Sequence, residues 1–270
     1  MILTKKGLLK ILLAAFLYLI IGGGCIAVGI VFVGKGINSK PLFSLGGIAL
    51  FIGALGTLFG RYAEGKGMLL NLSLTLVRKE LKPAEFIKEY ERLTSSDDLV
   101  VNKPGVDVLN QLAVAYYALG DNASCLATAD KMISVARGKA RGFAMLVKSS
   151  FLFSLGEHDE AERLFCEAQS MKLDFLGKFL VDQILKGDRA IAIGDYRLAE
   201  AHNLKKLNDT SPALDNLGKL TVHHTLGEIY EKMGEGGKAI SHYSYCVKNG
   251  GETVMRATAK DAIERLSQNC

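Results

Sequence analysis

Residues 1–60 contain no acidic side chain, and this absence divides the chain into two parts. They hold five lysines and 12 of the 29 glycines, so the formal net charge of +5 arises in this segment. The rest of the chain carries 28 basic and 28 acidic side chains and is neutral. Binding to nucleic acid needs an excess of positive charge on the folded surface. We therefore predict no nucleic-acid partner. The densest basic stretch, Arg137 to Lys148, is interpreted as a solvated junction, with a polyanion site as the alternative.

Cysteines are few, and catalytic motifs are absent from the sequence. Five cysteines in 270 residues do not suggest a disulfide framework, so Cys125, Cys166 and Cys246 are predicted to be reduced and buried. There is no Walker phosphate loop and no G-x-S-x-G nucleophile elbow. His224 and Glu228 lie one helical turn apart, but a metal site needs further ligands at defined spacing. The sequence predicts no enzyme, no cofactor and no metal site.

Two apolar runs are long enough to cross a bilayer. Residues 11–33 and 41–60 carry no charge, and at about 1.5 Å per residue each run approaches the roughly 30 Å of a hydrocarbon core. Only residues 34–40 separate them, so residues 1–60 are predicted to form a two-helix transmembrane hairpin that contacts membrane lipid. A cleaved signal peptide is the alternative for the first run, but that run is too long and a second follows at once.

The lysines and arginines that flank these runs predict their orientation. Three lysines precede the first run, Arg61, Lys66, Arg78 and Lys79 follow the second, and two lysines lie in the loop between them. Cytoplasmic flanks carry the excess of such residues. We predict an integral membrane protein with both termini and the C-terminal domain on the cytoplasmic side.

Small residues recur at one-turn spacing within the two runs. They are Cys25, Gly29, Ala49, Gly53, Gly56 and Gly60. Helices in lipid approach one another through such residues, because no hydrophobic force brings them together there. The two spans are predicted to pack on each other, and homo-oligomerisation through the same face is the alternative.

Helix-length apolar stretches in the C-terminal part run repeatedly into a glycine-centred turn. Gly120, Gly156, Gly194 and Gly234 mark four such turns. Successive glycines are separated by roughly 35–40 positions, a period typical of stacked helix pairs. Residues 105–252 are therefore predicted to form four helical hairpins.

The residues around these turns resemble the tetratricopeptide repeat (TPR) family. The fourth unit carries Leu226, Gly227 and Tyr230 in its first helix, then Ala239 and Tyr243 in its second. The other units match in part: they are represented by Leu112, Ala113 and Tyr116, by Ala161, Phe165 and Ala168, and by Gly187, Tyr196 and Ala199. The resemblance implies an all-α solenoid that binds proteins and is not an enzyme.

In this family the first helices of the hairpins line a concave groove, and the resemblance implies a protein-binding site there. Its predicted residues are Tyr117, Phe143, Leu146, Val147, Phe153, Val181, Ile184, Leu185, Ile191, His224 and Glu228. The expected partner is a helix or an extended peptide of another protein. The predicted function is a membrane-anchored adaptor or assembly factor. The alternative is a structural or regulatory subunit of a membrane complex that assembles through the hairpin.

The segments that flank the repeats are predicted to be helical caps. Residues 61–104 form a helical linker or leading cap, in which Lys82-Pro83 looks like a helix start. The period-two pattern of residues 70–76 favours a strand by itself, but its helical surroundings favour helix. Met68 to Val77 is apolar enough to cover the groove, which is the alternative to an open site. Residues 253–270 read as an amphipathic capping helix.

Overall fold

The computed structural model describes residues 66–95, 104–209 and 214–268. These residues form eleven α-helices, one π-helix and a helical stretch at residues 66–72, and they contain no strand, so the all-α prediction is confirmed for them. The chain divides into two compact units, one of Met1–Leu69 with Tyr90–Pro104 and one of Leu70–Glu89 with Gly105–Cys270. The helix pairs belong to the second unit.

The elements follow one another along the described ranges with short connections. The π-helix π1 (Ser73–Lys79) continues the helical residues 66–72 and is followed by α1 (Pro83–Ser95), α2 (Val106–Leu119), α3 (Asn122–Val135), α4 (Lys139–Ser154), α5 (His158–Ser170), α6 (Phe175–Lys186), α7 (Asp188–Ala192), α8 (Tyr196–Asn208), α9 (Asn216–Lys232), α10 (Gly236–Asn249) and α11 (Val254–Gln268). The pairs are α2/α3, α4/α5, α6–α7/α8 and α9/α10, each packed on its neighbours in sequence.

A glycine ends the first helix of every pair, where the spacing predicts a turn. Gly120, Gly156, Gly194 and Gly234 have φ angles of 80°, 83°, 79° and 74°. Glycine adopts this left-handed conformation without the steric cost of a side chain. The next residue starts the second helix: the Asp121 carboxylate, for example, accepts a hydrogen bond of 3.0 Å from the backbone N–H of Ser124.

Small buried residues allow the two helices of a pair to approach. Cys125, Ala161, Ala199 and Ala239 occupy equivalent positions in the four second helices, and all are fully buried. Gly227 in α9 comes very close to the neighbouring helix, since a Cβ atom there would lie 2.6 Å from Cε1 of Tyr243. The repeat spacing thus reflects a repeated packing requirement.

The cysteines differ in burial. Cys125 and Cys246 are free and buried, as predicted, but the prediction for Cys166 is wrong because it is exposed. The buried stripe of α5 consists of Ala161, Leu164, Phe165 and Ala168. A helix turns by about 100° per residue, so Cys166 points to the solvent side of that stripe.

The leading segment joins the first pair to the fourth. The π-helix π1 packs against both α2 and α9. The Ser73 hydroxyl donates to Oε1 of Gln111 at 3.0 Å, and Nε of Arg78 donates to the same oxygen at 3.1 Å. The Arg78 guanidinium also pairs with Asp215 at 3.0 Å, at the start of α9. Residues 70–76 are therefore helical, and their segment lies against the first helices of the first and fourth pairs.

The C-terminal helix also returns to the start of the repeats. α11 packs on α9 and α10 and contacts α2, and Gly120 lies so close to Val254 that an added Cβ would be 2.9 Å from its Cγ2. The backbone N–H of Glu252 donates to the carbonyl of Leu81 at 3.0 Å. The segment before the repeats and the helix after them thus link the first pair to the fourth.

In the described part of the chain, no helix has the length and apolar character needed to cross a bilayer. The predicted spans, residues 11–33 and 41–60, lie outside the described residues.

Candidate functional site

The eleven predicted groove residues divide into an accessible and a buried group. We call the surface formed by the first helices, α2, α4, α6, α7 and α9, the inner-helix face. Seven of the predicted residues keep solvent-accessible surface: Tyr117, Phe143, Val181, Leu185, Ile191, His224 and Glu228. The other four are buried: Leu146, Val147, Phe153 and Ile184.

The buried group belongs to the core between neighbouring pairs. Leu146 and Ile184 are fully buried and belong to one cluster with Phe153 and Phe165, against which Leu180 and other partly buried side chains pack. Val147 belongs to the adjacent cluster, with Leu109 and Met132 among its members. These four side chains therefore stabilise the stack and are not part of its surface, because successive helix pairs bury their apolar faces against one another.

Glu228 is the most exposed of the predicted residues and has an unusual environment. About half of its side chain is accessible (52%), while protein surrounds the rest. This partial loss of water raises the pKa of the carboxyl to about 7, and the nearby charge of Glu231 adds to the effect. Its nearest ion-pair neighbour among the described residues is Nδ1 of His224 at 3.5 Å.

His224 does not supply the positive charge that Glu228 lacks. Burial lowers the pKa of its imidazole to about 4, so the ring is neutral near pH 7. Its Nε2 lies 2.8 Å from the hydroxyl of Thr258 on α11, which holds the ring in place. Lys232, one turn further along α9, acts on Glu228 electrostatically but forms no ion pair with it in the described structure.

Tyr117 of α2 and Asp188 of α7 face the same region as Glu228. Burial raises the pKa of the Tyr117 phenol to about 12, and the charges of Glu228 and Asp188 both add to the increase. The centroid of the Tyr117 ring lies 5.3 Å from the centroid of the Phe151 ring on α4. We call Tyr117, Asp188, His224 and Glu228 the polar site. It combines groups from the first, third and fourth pairs.

Asp188 is a functional candidate that the sequence reasoning missed. Ser150 donates a hydrogen bond of 2.5 Å to its carboxylate, while burial raises the pKa of this carboxyl. Lys206 on α8 acts on it electrostatically, and burial lowers the pKa of that amine. The repeat pattern contained the signal, because Ser150, Asp188 and Glu228 each lie the same number of positions before the turn glycine of their own pair.

A second group of aromatic and imidazole rings lies between α9 and α10. Nδ1 of His223 is 3.0 Å from Nδ1 of His242, and the His223 ring stacks on Tyr245 with centroids 3.8 Å apart. Burial lowers the pKa of both imidazoles, so one neutral ring donates to the other. Within residues 66–95, 104–209 and 214–268, no group of three or more His, Cys, Asp or Glu side chains is placed to hold a metal ion.

No family model matches the sequence, and no curated protein matches it. The described residues themselves define the class of the protein, an all-α, repeat-like fold of adjacent helix pairs.

Proposed function

We propose that this protein is a membrane-anchored adaptor or assembly factor with a TPR-like α-solenoid, which captures a segment of another protein on its inner-helix face. The paired helices, with small residues at equivalent buried positions, support the repeat architecture. The two apolar runs at residues 11–33 and 41–60 support the membrane anchor, with the repeats on the cytoplasmic side.

The state of Glu228 carries the proposal that this face is a binding site. A carboxylate that has lost part of its water without gaining a cation destabilises the fold, and a native chain retains such a group where it has another use. A lysine or arginine of a partner would restore the lost interaction through a charge-assisted hydrogen bond. The proposed ligand is therefore a peptide segment that bears a positive charge.

The surroundings of Glu228 indicate what accompanies that charge. Val181, Leu185 and Ile191 on the third pair keep accessible apolar surface on the same face. A segment with apolar residues beside its lysine or arginine would bury this surface, while the cation pairs with Glu228. Recognition of this kind combines an apolar contact with a few placed polar groups.

Site-specific photo-crosslinking tests the proposal in the full-length protein. A photo-reactive phenylalanine analogue at position 185 should crosslink to a discrete protein segment, and mass spectrometry of the adduct should identify a basic residue beside the crosslink. Glu228→Gln should reduce the adduct by about tenfold or more, because the charged hydrogen bond is lost. Glu264→Gln, in an exposed pair on α11, is the control. Equal adduct yields from the unsubstituted protein, Glu228→Gln and Glu264→Gln, each with the analogue at position 185, would contradict the proposal.

The same assay separates the adaptor from a complex subunit that assembles through its spans. Replacing Gly53 and Gly56 by leucine would disturb close helix approach in the membrane. An adaptor keeps its position-185 adduct in this variant, provided that the protein still inserts. Loss of the co-purifying partner in the glycine variant, with no effect of Glu228→Gln, would favour the complex subunit instead.

A further inference from the structure

We propose that the start of α6 and the start of α4 form a membrane-contacting edge that binds the surface of an anionic lipid bilayer. In this arrangement Phe175, Leu176 and Phe179 enter the interfacial region, and the basic residues around them contact lipid phosphates. The proposed contact is separate from the predicted transmembrane runs and from the polar site.

Three large apolar side chains project from the first two turns of α6. Phe175, Leu176 and Phe179 are 81%, 60% and 56% exposed. Single exposed apolar residues are common, but a contiguous group on a rigid element usually marks an interaction surface. Asp174 fixes the start of this helix, since its carboxylate accepts a hydrogen bond of 2.8 Å from the N–H of Gly177. The group is therefore held outward by a capped helix and not by a loose loop.

The inward side of α6 is already occupied. Ile184 is fully buried, and Leu180 and Val181 pack against the same core cluster. The exposed group consequently does not pack into the core of its own unit. None of the described residues of this chain covers it.

Basic residues surround the exposed group on two adjacent junctions. Lys172 precedes the group along the chain, Lys178 lies between Leu176 and Phe179, and both are exposed. The start of α4 packs against the segment before α6, because a Cβ on Gly142 would lie 2.7 Å from Cδ2 of Leu173. This contact brings the second set of basic residues to the same edge: Arg137, Lys139 and Arg141, all exposed.

These five basic side chains are not neutralised within the described structure. None of them forms an ion pair with a carboxylate of the described residues, and Arg137 donates only to the backbone carbonyls of Ser134 and Ala136. Asp174 is the single acidic residue in the two junctions, residues 135–141 and 171–178. By contrast, Lys148 pairs with Asp130 at 2.9 Å and Glu160 at 3.1 Å and does not contribute to the edge.

The opposite ends of the first and second helix pairs carry the opposite charge. Short turns make the two helices of a pair antiparallel, so the turns and the junctions lie at opposite edges. The turns at residues 120–124 and 156–160 contain Asp121, Glu157, Asp159 and Glu160 and no lysine or arginine. An anionic surface would therefore attract the junction edge and repel the turn edge.

This combination fits a bilayer better than a protein partner. Aromatic and leucine side chains beside lysines are typical of segments that lie in the membrane interface. Anionic lipids attract such basic clusters over about a Debye length. A protein partner would need matching acidic groups and a shaped pocket, whereas a bilayer accepts three projecting side chains and five exposed cations without a specific shape.

Tryptophan fluorescence tests this edge in the full-length protein, because the chain has no tryptophan of its own. Phe179→Trp places a single fluorophore within the exposed group. Ile193→Trp is the matched control, because Ile193 is 67% exposed and lies beside the turn at the other end of the same pair. Both variants are reconstituted into vesicles with acyl chains that carry bromine, which quenches tryptophan at short range.

We expect the tryptophan quenching to differ between positions 179 and 193 and between anionic and neutral lipid. In vesicles that contain phosphatidylglycerol, the tryptophan at position 179 should shift to the blue and be quenched roughly twofold or more, with little change at position 193. In phosphatidylcholine alone the quenching at 179 should fall. Adding Arg141→Glu and Lys178→Glu should reduce it in the anionic vesicles, whereas Arg163→Glu with Lys260→Glu, the same change of charge elsewhere, should not.

Equal quenching at the two positions, or none at position 179 in anionic vesicles, would overturn the proposal. A blue shift at 179 that grows with protein concentration in the absence of lipid would identify a protein contact and overturn it as well. Leu176→Trp repeats the measurement should Phe179→Trp fail to fold, as judged by its thermal melt. Glu228 takes no part in the proposed lipid contact. Failure of this proposal can therefore be told apart from failure of the proposed peptide site.

Discussion

Individual side chains show where the predicted groove ends and the core begins. The sequence predicts Leu146 as a groove residue, but its side chain is fully buried. Leu146→Ala should lower the free energy of unfolding by about 2–5 kcal/mol, since it leaves a cavity between the second and third pairs. Leu176→Ala, at a 60% exposed position, should change it by less than about 0.5 kcal/mol. Urea titrations of the two variants check this, and equal midpoints would show that Leu146 is not a core residue.

At the residue scale, Gly227 also tests how closely α9 and α10 approach each other. Alanine is normally the better helix residue by about 1 kcal/mol. At this position, however, its Cβ would lie 2.6 Å from the ring of Tyr243, and such overpacking costs about 1–3 kcal/mol. Gly227→Ala should therefore lower the melting temperature. Gly237→Ala, where nothing lies within 4 Å of the added Cβ, should not lower it, and a Tyr243→Leu background should remove most of the Gly227→Ala effect.

Glu228 makes stability depend on pH in a predictable direction. Its pKa is about 7 in the folded protein, against an ordinary value of 4.5 for this side chain. Between these pH values the folded state keeps a proton that the unfolded state has released, so this group's contribution to stability falls as pH rises through the window and is constant above about pH 7. Glu228→Gln should remove this slope, whereas Glu264→Gln should retain it. Urea midpoints measured across the window provide the test, and parallel curves for wild type and Glu228→Gln would contradict the assignment.

At the scale of elements, π1 acts as a clasp between the first and fourth pairs. Arg78 contacts Gln111 of α2 and Asp215 at the start of α9, and its side chain is 28% exposed. The bond to Asp215 also orients a carboxylate that caps α9 through the N–H of Gly218 at 2.7 Å. Arg78, in the segment that precedes the repeats, thus links the first pair to the fourth.

Removing this clasp should loosen π1 before it unfolds the repeats. Arg78→Ala should cost about 1 kcal/mol, more than a typical exposed ion pair, because two partly buried partners, Gln111 and Asp215, each lose a charge-assisted hydrogen bond. Hydrogen exchange of residues 73–79 should become faster, with little change in α4 and α5. Arg163→Ala, which breaks an exposed pair with Glu167, is the control. Uniformly faster exchange in every helix would show that π1 is an integral part of the repeat core.

At the scale of the whole molecule, the predicted membrane topology would determine on which side of the bilayer the inner-helix face and the proposed membrane-contacting edge lie. The sequence predicts both termini in the cytoplasm. Cys166 supplies a native reporter, since it is exposed in the structure. An impermeant maleimide on intact cells should label an Asn38→Cys single-cysteine variant, but should leave a variant that retains only Cys166 unlabelled until the membrane is permeabilised. The reverse pattern would place the repeats outside the cytoplasm.

The sequence alone determined the features that depend on local chemistry and on spacing. Glycine at a near-regular interval predicted four turns because only glycine adopts positive φ there at low cost, and Pro83 indicated the start of α1. Small residues one turn from aromatic ones indicated helix packing, since neither spacing nor size depends on the rest of the fold. The candidate Glu228 also followed from its position within the repeat.

Tertiary structure decided what depends on contacts between distant residues. The groove prediction assigned Leu146 and Ile184 to a surface, because helical periodicity shows which residues share a face but not which neighbour covers that face. The closure of α2 against α11, the contacts of Arg78 and the effect of the Glu228 charge on the pKa of Tyr117 all arise between residues far apart in the sequence. Burial and pKa depend on every atom nearby, and only the folded chain brings those atoms together.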